Sequence, residues 1–374
     1  MTHNIVVLGG GYTGTMCAIR LARRTRRMPE DVTVTLVNPS ERFTERLRMH
    51  QIATGQRLKD IRLPDLLAGT GVTFVKSRAV ALGQHVVSLE NGRSLSFDTL
   101  VFAIGSVADT HSVPGAGEFA YTLDTPADAK RLSTKGTVAV CGGGLTGIES
   151  AAEIAEQHPA AHVVLLSRDN PGWMMSPKAR AYLEKSLARL GVEVRAGVEV
   201  TKVLPDGLEL SGGETLPVDA CLWTVGFVPP PLAREAGLAV DAHGRIVVDE
   251  TLRSVSHPSI YAIGDSAAVT QPWGVIHGTC QSGIPTGVYA ADAIVRRLRG
   301  KRVKPFRFGY IHQPVSLGRR DAVIQFTKRD DRPGRWFLTG RAARIYKEVV
   351  TSSPPPTYRL SKRLSVPLAM LRRP

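Results

Sequence analysis

The chain has 374 residues, 43% hydrophobic and 22% charged, which suits two or three globular domains of roughly 100–200 residues each. No run approaches the ~18–20 unbroken apolar residues of a membrane span, and the N-terminus reads as a first strand, not a signal peptide, so a polytopic membrane protein, a standard secreted protein and a disordered chain are excluded. The net charge of +15 is lopsided: residues 296–374 hold 21 Lys+Arg and 4 Asp+Glu, against 27 and 29 in residues 1–295, which predicts a separate basic module facing an anionic surface.

In chain order, an apolar strand at 5–8, a glycine turn, a helix through Ala22 and a strand at 32–37 form a βαβ opening. Short alternating strands follow at 86–89 and 94–97 around Asn91-Gly92, a hairpin turn. The opening recurs with a strand at 138–140, a glycine turn, a helix through Ala155 and a strand at 162–166. A second hairpin spans 207–216 around Gly212-Gly213, and a strand follows at 220–226. Beyond Gly300, basic segments alternate with a strand at 323–327 and a helix near 342–350. Ser352-Ser353-Pro354-Pro355-Pro356 then cannot continue any helix, and the last 18 residues read as an extended basic tail. The prediction is an α/β chain with two Rossmann-like dinucleotide-binding domains and a small basic C-terminal module.

The first turn, Gly9-Gly10-Gly11-Tyr12-Thr13-Gly14, fits GxGxxG through Gly9, Gly11 and Gly14. The first glycine permits the tight turn and the second lets backbone approach a pyrophosphate. The third lets helix and strand pack closely, while the helix start supplies N–H donors and positive dipole. Its position directly after a strand and before a helix supports the nucleotide reading. Asn38 stands where an acid usually closes the second strand; its amide can still bond ribose hydroxyls. The second copy is Gly142-Gly143-Gly144-Leu145-Thr146-Gly147, with Ser167 and Arg168 at the corresponding position. No carboxylate repels a 2′-phosphate there and a guanidinium lies beside it, so the site favours NADPH over NADH.

The four cysteines, Cys17, Cys141, Cys221 and Cys280, are 124, 80 and 59 residues apart. That spacing supports neither a redox dithiol nor a metal site, and a reducing cytosol is the simplest setting. Cys17, Cys141 and Cys221 read as small buried hydrophobes.

The two turns, with residues 99–105 ending in Ala103-Ile104-Gly105, the strand before Gly226 and the run Ile260-Tyr261-Ala262-Ile263-Gly264-Asp265, resemble the two-dinucleotide-binding flavoproteins over residues 4–300. That resemblance implies a glutathione-reductase-like fold with FAD at the first site and NAD(P)H at the second. It makes Asp265 a ligand of the FAD ribityl chain, and implies cofactor contacts from Tyr12, Thr13, Arg46, Ala103, Gly105, Leu145, Thr146, Gly226, Gly264 and Gln281. The implied division is 1–108 and 230–300 for FAD, 109–229 for NAD(P)H and 301–374 for the basic module. Gln51-Ile52-Ala53-Thr54-Gly55 and residues 142–153 are similar to elements of type II NADH dehydrogenases. Residues 316–323 with Gly340 and Lys347 resemble the ferroptosis-suppressor (apoptosis-inducing-factor-like) quinone reductases. Both groups reduce quinones at a membrane surface, which implies a quinone acceptor. It also implies a cytoplasmic protein peripheral to the inner membrane face, with a homodimer as one assembly. One element departs: Gln281 matches the first glutamine of the family's quinone-pocket pair, but the second falls on Pro285, beside Thr286. A protein carrier or a specialised metabolite therefore stands as the alternative acceptor.

No cysteine follows the first βαβ unit, so the flavin and not a thiol should carry the chemistry. The helix opening at 278–283 is expected to direct dipole and N–H groups to the flavin. By the same resemblance, Glu149 is expected to position or protonate near the nicotinamide and flavin, and Lys347 to act close to the flavin or the acceptor. Glu153 reads as structural, His277 as a satisfied histidine, and Trp173, Trp223 and Phe227 as core. The basic module is expected to meet an anionic membrane leaflet; an oligomer-facing surface and a nucleic-acid-binding regulator are the alternatives, the last without an accompanying motif.

Overall fold

The computed structural model describes residues 2–28 and 31–364. Strand β1 (His3–Leu8) is wholly apolar from Ile5 and buried on both faces, as a central parallel strand requires. It leads through the first glycine turn into α1 (Tyr12–Thr25), then β2 (Val32–Asn38). A short helix, α2 (Met49–Ala53), precedes β3 (Thr73–Lys76) and β4 (Thr99–Phe102). The second unit repeats the plan with β5 (Thr137–Cys141), α3 (Leu145–Gln157), β6 (His162–Ser167), α4 (Pro177–Arg189), β7 (Glu193–Ala196) and β8 (Ala220–Trp223). Strand β9 (Ile260–Ala262) then returns to the first unit.

The first sheet has the parallel order β9-β4-β1-β2-β3, and the second the parallel order β7-β6-β5-β8. In both, the order reverses beside the strand that carries a glycine turn, which opens a crevice at the strands' carboxyl ends. Because β9 follows the second sheet in sequence, the second unit is inserted between strands of the first.

Helix α5 (Cys280–Leu298) covers the first sheet and crosses α1 at close range. Thr13 is the reason: a Cβ on Gly283 would lie 2.6 Å from its hydroxyl, and one on Gly287 2.5 Å from its carbonyl oxygen. Further along α1, Arg20 donates two bonds to Asp292, at 2.8 and 2.7 Å, and ties the helices together.

The basic C-terminal segment is not a separate module. It forms an antiparallel sheet of β10 (His312–Ser316), β11 (Ala322–Thr327) and β12 (Pro333–Thr339), backed by α6 (Gly340–Ser352). Val315, Leu317 and Val323 join Ile148, Ala151 and Ala152 of α3 and Leu183 and Leu187 of α4 in one core. Each such burial contributes roughly 1.5–3 kcal/mol. Asp321 accepts bonds from Tyr182 (2.8 Å), Ser186 (3.0 Å) and Arg189 (2.6 Å), fastening the sheet to α4. Charge composition concealed this docking, because the buried residues are the minority apolar ones.

The triple proline also differs from expectation. It ends α6 but starts α7 (Pro354–Ser361), since proline fits a helix's first turn, where no N–H partner is required. Tyr358 of α7 is fully buried against Phe43, with ring centroids 5.7 Å apart, and donates to the Tyr12 carbonyl at 3.0 Å. The expected extended tail is thus helical to Ser361; residues 365–374 lie outside the described part.

Candidate active site

Both glycine turns are built alike. A Cβ on Gly14 would sit 1.9 Å from the Gly9 carbonyl oxygen, and one on Gly147 would sit 1.8 Å from that of Gly142. Gly9 and Gly142 themselves have φ of 103° and 120°, a region L side chains rarely adopt. Gly11 and Gly144, the N-caps of α1 and α3, meet nothing within 4 Å. Each turn is therefore closed on its protein side and open at the helix start, where an anionic pyrophosphate is received. This open cradle fits the dinucleotides implied by the motifs.

The surrounding residues divide into those that face this space and those that brace it. Asn38 braces: its Oδ1 accepts the Gly10 N–H at 2.8 Å and its amide donates to Ser40 O at 2.7 Å. Asn38, expected at a ribose, is thus engaged through both ends of its amide by the turn and the segment after β2. Ala103 is buried against Gly9, so it shapes the turn's floor. Gly105 has φ of 74°, exchanges two hydrogen bonds with Ser266 and has no atom near its missing Cβ. Gly264, with φ of 64°, donates to Thr286 Oγ1 at 2.9 Å. Its neighbour Asp265 accepts from Ser106 Oγ at 2.9 Å and lies against Gly278, whose Cβ would be 2.5 Å from its carboxylate. Arg46 is engaged by the Ser106 carbonyl and by Asp124, at 3.2 Å to the latter.

In the second site, Ser167 packs under Gly143 and is buried, whereas Arg168 is exposed, 3.7 Å from Glu199 as its ionic partner. Leu145 and Thr146 form the first turn of α3, and Gly226, with φ of 66°, turns the chain beside Asp109.

Gln281 departs from its expected role. Its Oε1 accepts from Ile311 N–H (2.7 Å) and its amide donates to His312 O (2.8 Å), so the side chain clamps α5 to β10. Pro285 sits inside α5 and lacks the N–H that would close on the Gln281 carbonyl. Trp173 and Phe227, expected in the core, are exposed, while Trp223 is buried and donates to Asp109 O at 2.8 Å. His277 is half exposed, stacked on Tyr310 at 4.6 Å and 3.2 Å from Asp331. Cys17, Cys141 and Cys221 are buried, but Cys141 and Cys221 stand 3.6 Å apart on adjacent strands, a juxtaposition their spacing hid.

The main tertiary finding is that Glu149 and Lys347 meet. Lys347 Nζ lies 2.7 Å from Glu149 Oε1 and 3.1 Å from the Pro314 carbonyl. The Ser316 N–H and hydroxyl also donate to Glu149, at 2.8 and 3.0 Å. Burial alone would raise the Glu149 pKa; Lys347, His50 and these hydrogen bonds outweigh it and hold the carboxylate below its ordinary range. Cys280, the first residue of α5, is pushed up to about 11 by burial, against the opposing field of Lys347 and with the reinforcing field of Asp265. The charge of Lys347 thus acts both on Glu149, in the second turn of α3, and on Cys280, at the start of α5.

His50 of α2 completes this cluster and was missed in the sequence. It is buried beside Glu149, its Nε2 has no hydrogen-bond partner among the described residues, and burial lowers its pKa to about 4. Its place directly before the Gln51–Gly55 element was the available signal.

Comparison with known proteins agrees with this geometry. Residues 3–292 match the model of the pyridine nucleotide-disulphide oxidoreductase family. An NADH dehydrogenase-like protein of Mycobacterium tuberculosis is 32% identical over 349 residues, covering 85% of this chain and 86% of that protein. Demethylphylloquinone reductase NdbB of Synechocystis is 28% identical over 396 residues, covering 99% and 96%. Among solved structures, NDH2 of Plasmodium falciparum in complex with NADH superposes with a TM-score of 0.81 at 15% identity, covering 96% and 97%, a likeness of fold.

Proposed function

Because this chain belongs to the pyridine nucleotide-disulphide oxidoreductase family, we propose that it is an FAD-dependent NAD(P)H:quinone oxidoreductase working without a redox disulfide. The observation that carries the reading is the buried Glu149–Lys347 pair, which ties the helix after the second glycine turn to the C-terminal helix. When bound, FAD supplies hydride acceptance and electron transfer to the second substrate.

The chain's own residues bind, orient and handle charge. The first turn and α1 hold the FAD pyrophosphate on backbone N–H groups, with Asp265 at the ribityl chain. The second turn and α3 hold NAD(P)H in the same way, and Arg168 has a free face for a 2′-phosphate, which favours NADPH. Helix α5 is capped by the Thr279 hydroxyl, which accepts the Ser282 N–H and fixes the positive end of the helix dipole. Lys347 places a fixed positive charge there and Glu149 holds the lysine in position. Together they form a pair able to keep or pass one proton at the acceptor.

The acceptor class follows from the relatives, and the surface supports delivery from a membrane. Trp336 is 65% exposed and Val349 64% exposed, with Ile345, Leu360 and Leu364 also outward. Arg335, which stacks 4.5 Å from the Trp336 ring, Arg341, Arg344, Arg359 and Lys362 lie among them in sequence. Apolar side chains within a basic belt suit an anionic leaflet, at about 1 kcal/mol per nearby cation. Among the described residues no helix is long and apolar enough to cross a membrane, so the reading is of a peripheral contact.

Anaerobic stopped-flow tests the proposal. The purified protein should be yellow, bleach rapidly with NADPH or NADH, and regain colour on mixing with a short-chain quinone. Bleaching without recovery by quinone would redirect the search to a protein carrier or metabolite, and no bleaching would overturn the second site.

A further inference from the structure

Quinol formation takes two electrons and two protons, whereas NAD(P)H delivers two electrons and one proton as hydride. Each turnover of the proposed reaction therefore draws one proton from solution. The Glu149–Lys347 pair is buried, so that proton needs a route.

One face of α3 offers it. Glu149, Glu153 and Glu156 follow at helical spacing, with Glu149 and Glu153 one turn, about 6 Å, apart along the axis. The chain after β10 runs alongside them: Ser316 donates to Glu149 and the Arg319 N–H donates to Glu156. Glu156 is half-buried, Glu149 is buried against Lys347, and Glu153 stands between them along the helix, fully excluded from solvent.

Glu153 differs from its two neighbours. Among the described residues, its Oε1 is engaged only by the Gln56 amide, and its buried Oε2 has no hydrogen-bond partner. A second unpartnered buried atom, His50 Nε2, lies beside Glu149 in the same α2–α3 interface. Two orphaned polar atoms along one buried seam are what a bridging water or a shuttled proton would satisfy.

We infer that Glu153 relays the solvent proton from Glu156 to the Glu149–Lys347 pair, along the α3 face covered by the Ser316–Arg319 turn. The inference rests on the quinone reading above. The groups facing Glu153 are Gln56 from the segment after α2, Arg319 from the turn after β10, and Glu149 and Glu156 on its own helix. Burial, partly opposed by Gln56 and Arg319 and helped by the two glutamates, raises its pKa to about 7. Glu153 then holds a proton below that pH and gives it up above, as a relay at neutral pH must.

The test compares quinone with ferricyanide, which takes electrons without protons. In the wild type, the quinone half-reaction should slow as pH rises through about 7, while the ferricyanide half-reaction should not. Glu153→Gln should lower the quinone-to-ferricyanide rate ratio at least about tenfold below pH 7 and abolish that pH limb. Glu153→Asp should retain a limb. A protonated-carboxyl band in infrared difference spectra, titrating near 7 and missing in Glu153→Gln, reads the same group without turnover. A wild-type quinone rate that is flat through pH 7, or a limb that survives in Glu153→Gln, overturns the relay alone. A wild type that reduces ferricyanide but no quinone overturns the quinone reading, and the relay with it.

Discussion

Lys347 Nζ stands 2.7 Å from Glu149 Oε1, joining the helix that ends the C-terminal sheet to the helix that opens the second glycine-turn unit. Both side chains are nearly excluded from water, so each neutralises what would otherwise be a costly buried charge. The C-terminal segment is thereby tied to α3 by a buried ion pair as well as by its apolar core.

Lys347→Met should accordingly destabilise the fold by about 3 kcal/mol, because the Glu149 carboxylate is left buried without its cation. Adding Glu149→Gln should recover most of that loss. Urea unfolding of the two singles and the double gives the coupling. A Lys347→Met protein as stable as the wild type would mean that the pair is not formed in solution.

Gly144→Ala and Gly147→Ala should behave differently although they are three residues apart. The Gly144 Cβ enters open space, so the variant should fold with an unchanged melting temperature but bind NAD(P)H about tenfold more weakly, its methyl standing where the pyrophosphate approaches. The Gly147 Cβ would lie 1.8 Å from the Gly142 carbonyl oxygen, so that variant must distort the turn. It should stay yellow and fail to bleach with either nucleotide. Calorimetry and stopped-flow absorbance separate the two.

Arg168→Ala should raise KM for NADPH roughly tenfold and leave KM for NADH nearly unchanged, the loss of one charge-assisted phosphate contact at about 1.4 kcal/mol. Equal effects on both nucleotides would assign Arg168 to its surface pair with Glu199.

The acid side of the stability curve should carry the imprint of His50. Its folded pKa of about 4 lies below the ordinary 6.5, because burial opposes the charged ring. Its stabilising contribution is therefore complete above pH 6.5 and is lost as pH falls from there through about 4, on the order of 2–3 kcal/mol. His312, also lowered to about 4 by burial, has the same sign. Glu153 has the opposite sign: its raised pKa gives stability that is lost as pH rises from 4.5 through about 7. His50→Leu should flatten the loss between pH 6.5 and 4, measured by thermal melts across that range.

Replacing Trp336 and Val349 together with serine should reduce binding to anionic liposomes at least tenfold while leaving turnover with a soluble quinone intact. Both side chains are largely exposed. Unchanged sedimentation with vesicles would remove this face from the membrane reading.

Much of this architecture was readable before any coordinates. Strand, glycine turn and helix are local features: the positive φ of Gly9 and Gly142 and the contacts of Gly14 and Gly147 with carbonyls five residues back are set within the motif, while Ala103 and Thr224 close on the turns from the ends of distant strands. Apolar runs such as 5–8 and 138–140 likewise announce central parallel strands, because both faces must be buried. Helix α7 was misread because a proline rule about helix interiors was applied where the prolines begin a new helix. The packing of the basic segment was hidden because net charge averages over residues that point in opposite directions.

The order of the chain thus determined the two nucleotide cradles, whose physics is short-range backbone sterics and helix dipoles. Composition alone placed the excess charge. What only the folded molecule decided is which distant side chains share a dry space. Glu149 finds Lys347 and His50, Glu153 finds Gln56, and Gln281 is spent on β10. Those meetings depend on how α2, α3, α5 and the C-terminal sheet pack. Packing is a property of the whole core, and burial then decides which charges are held, paired or left able to move a proton.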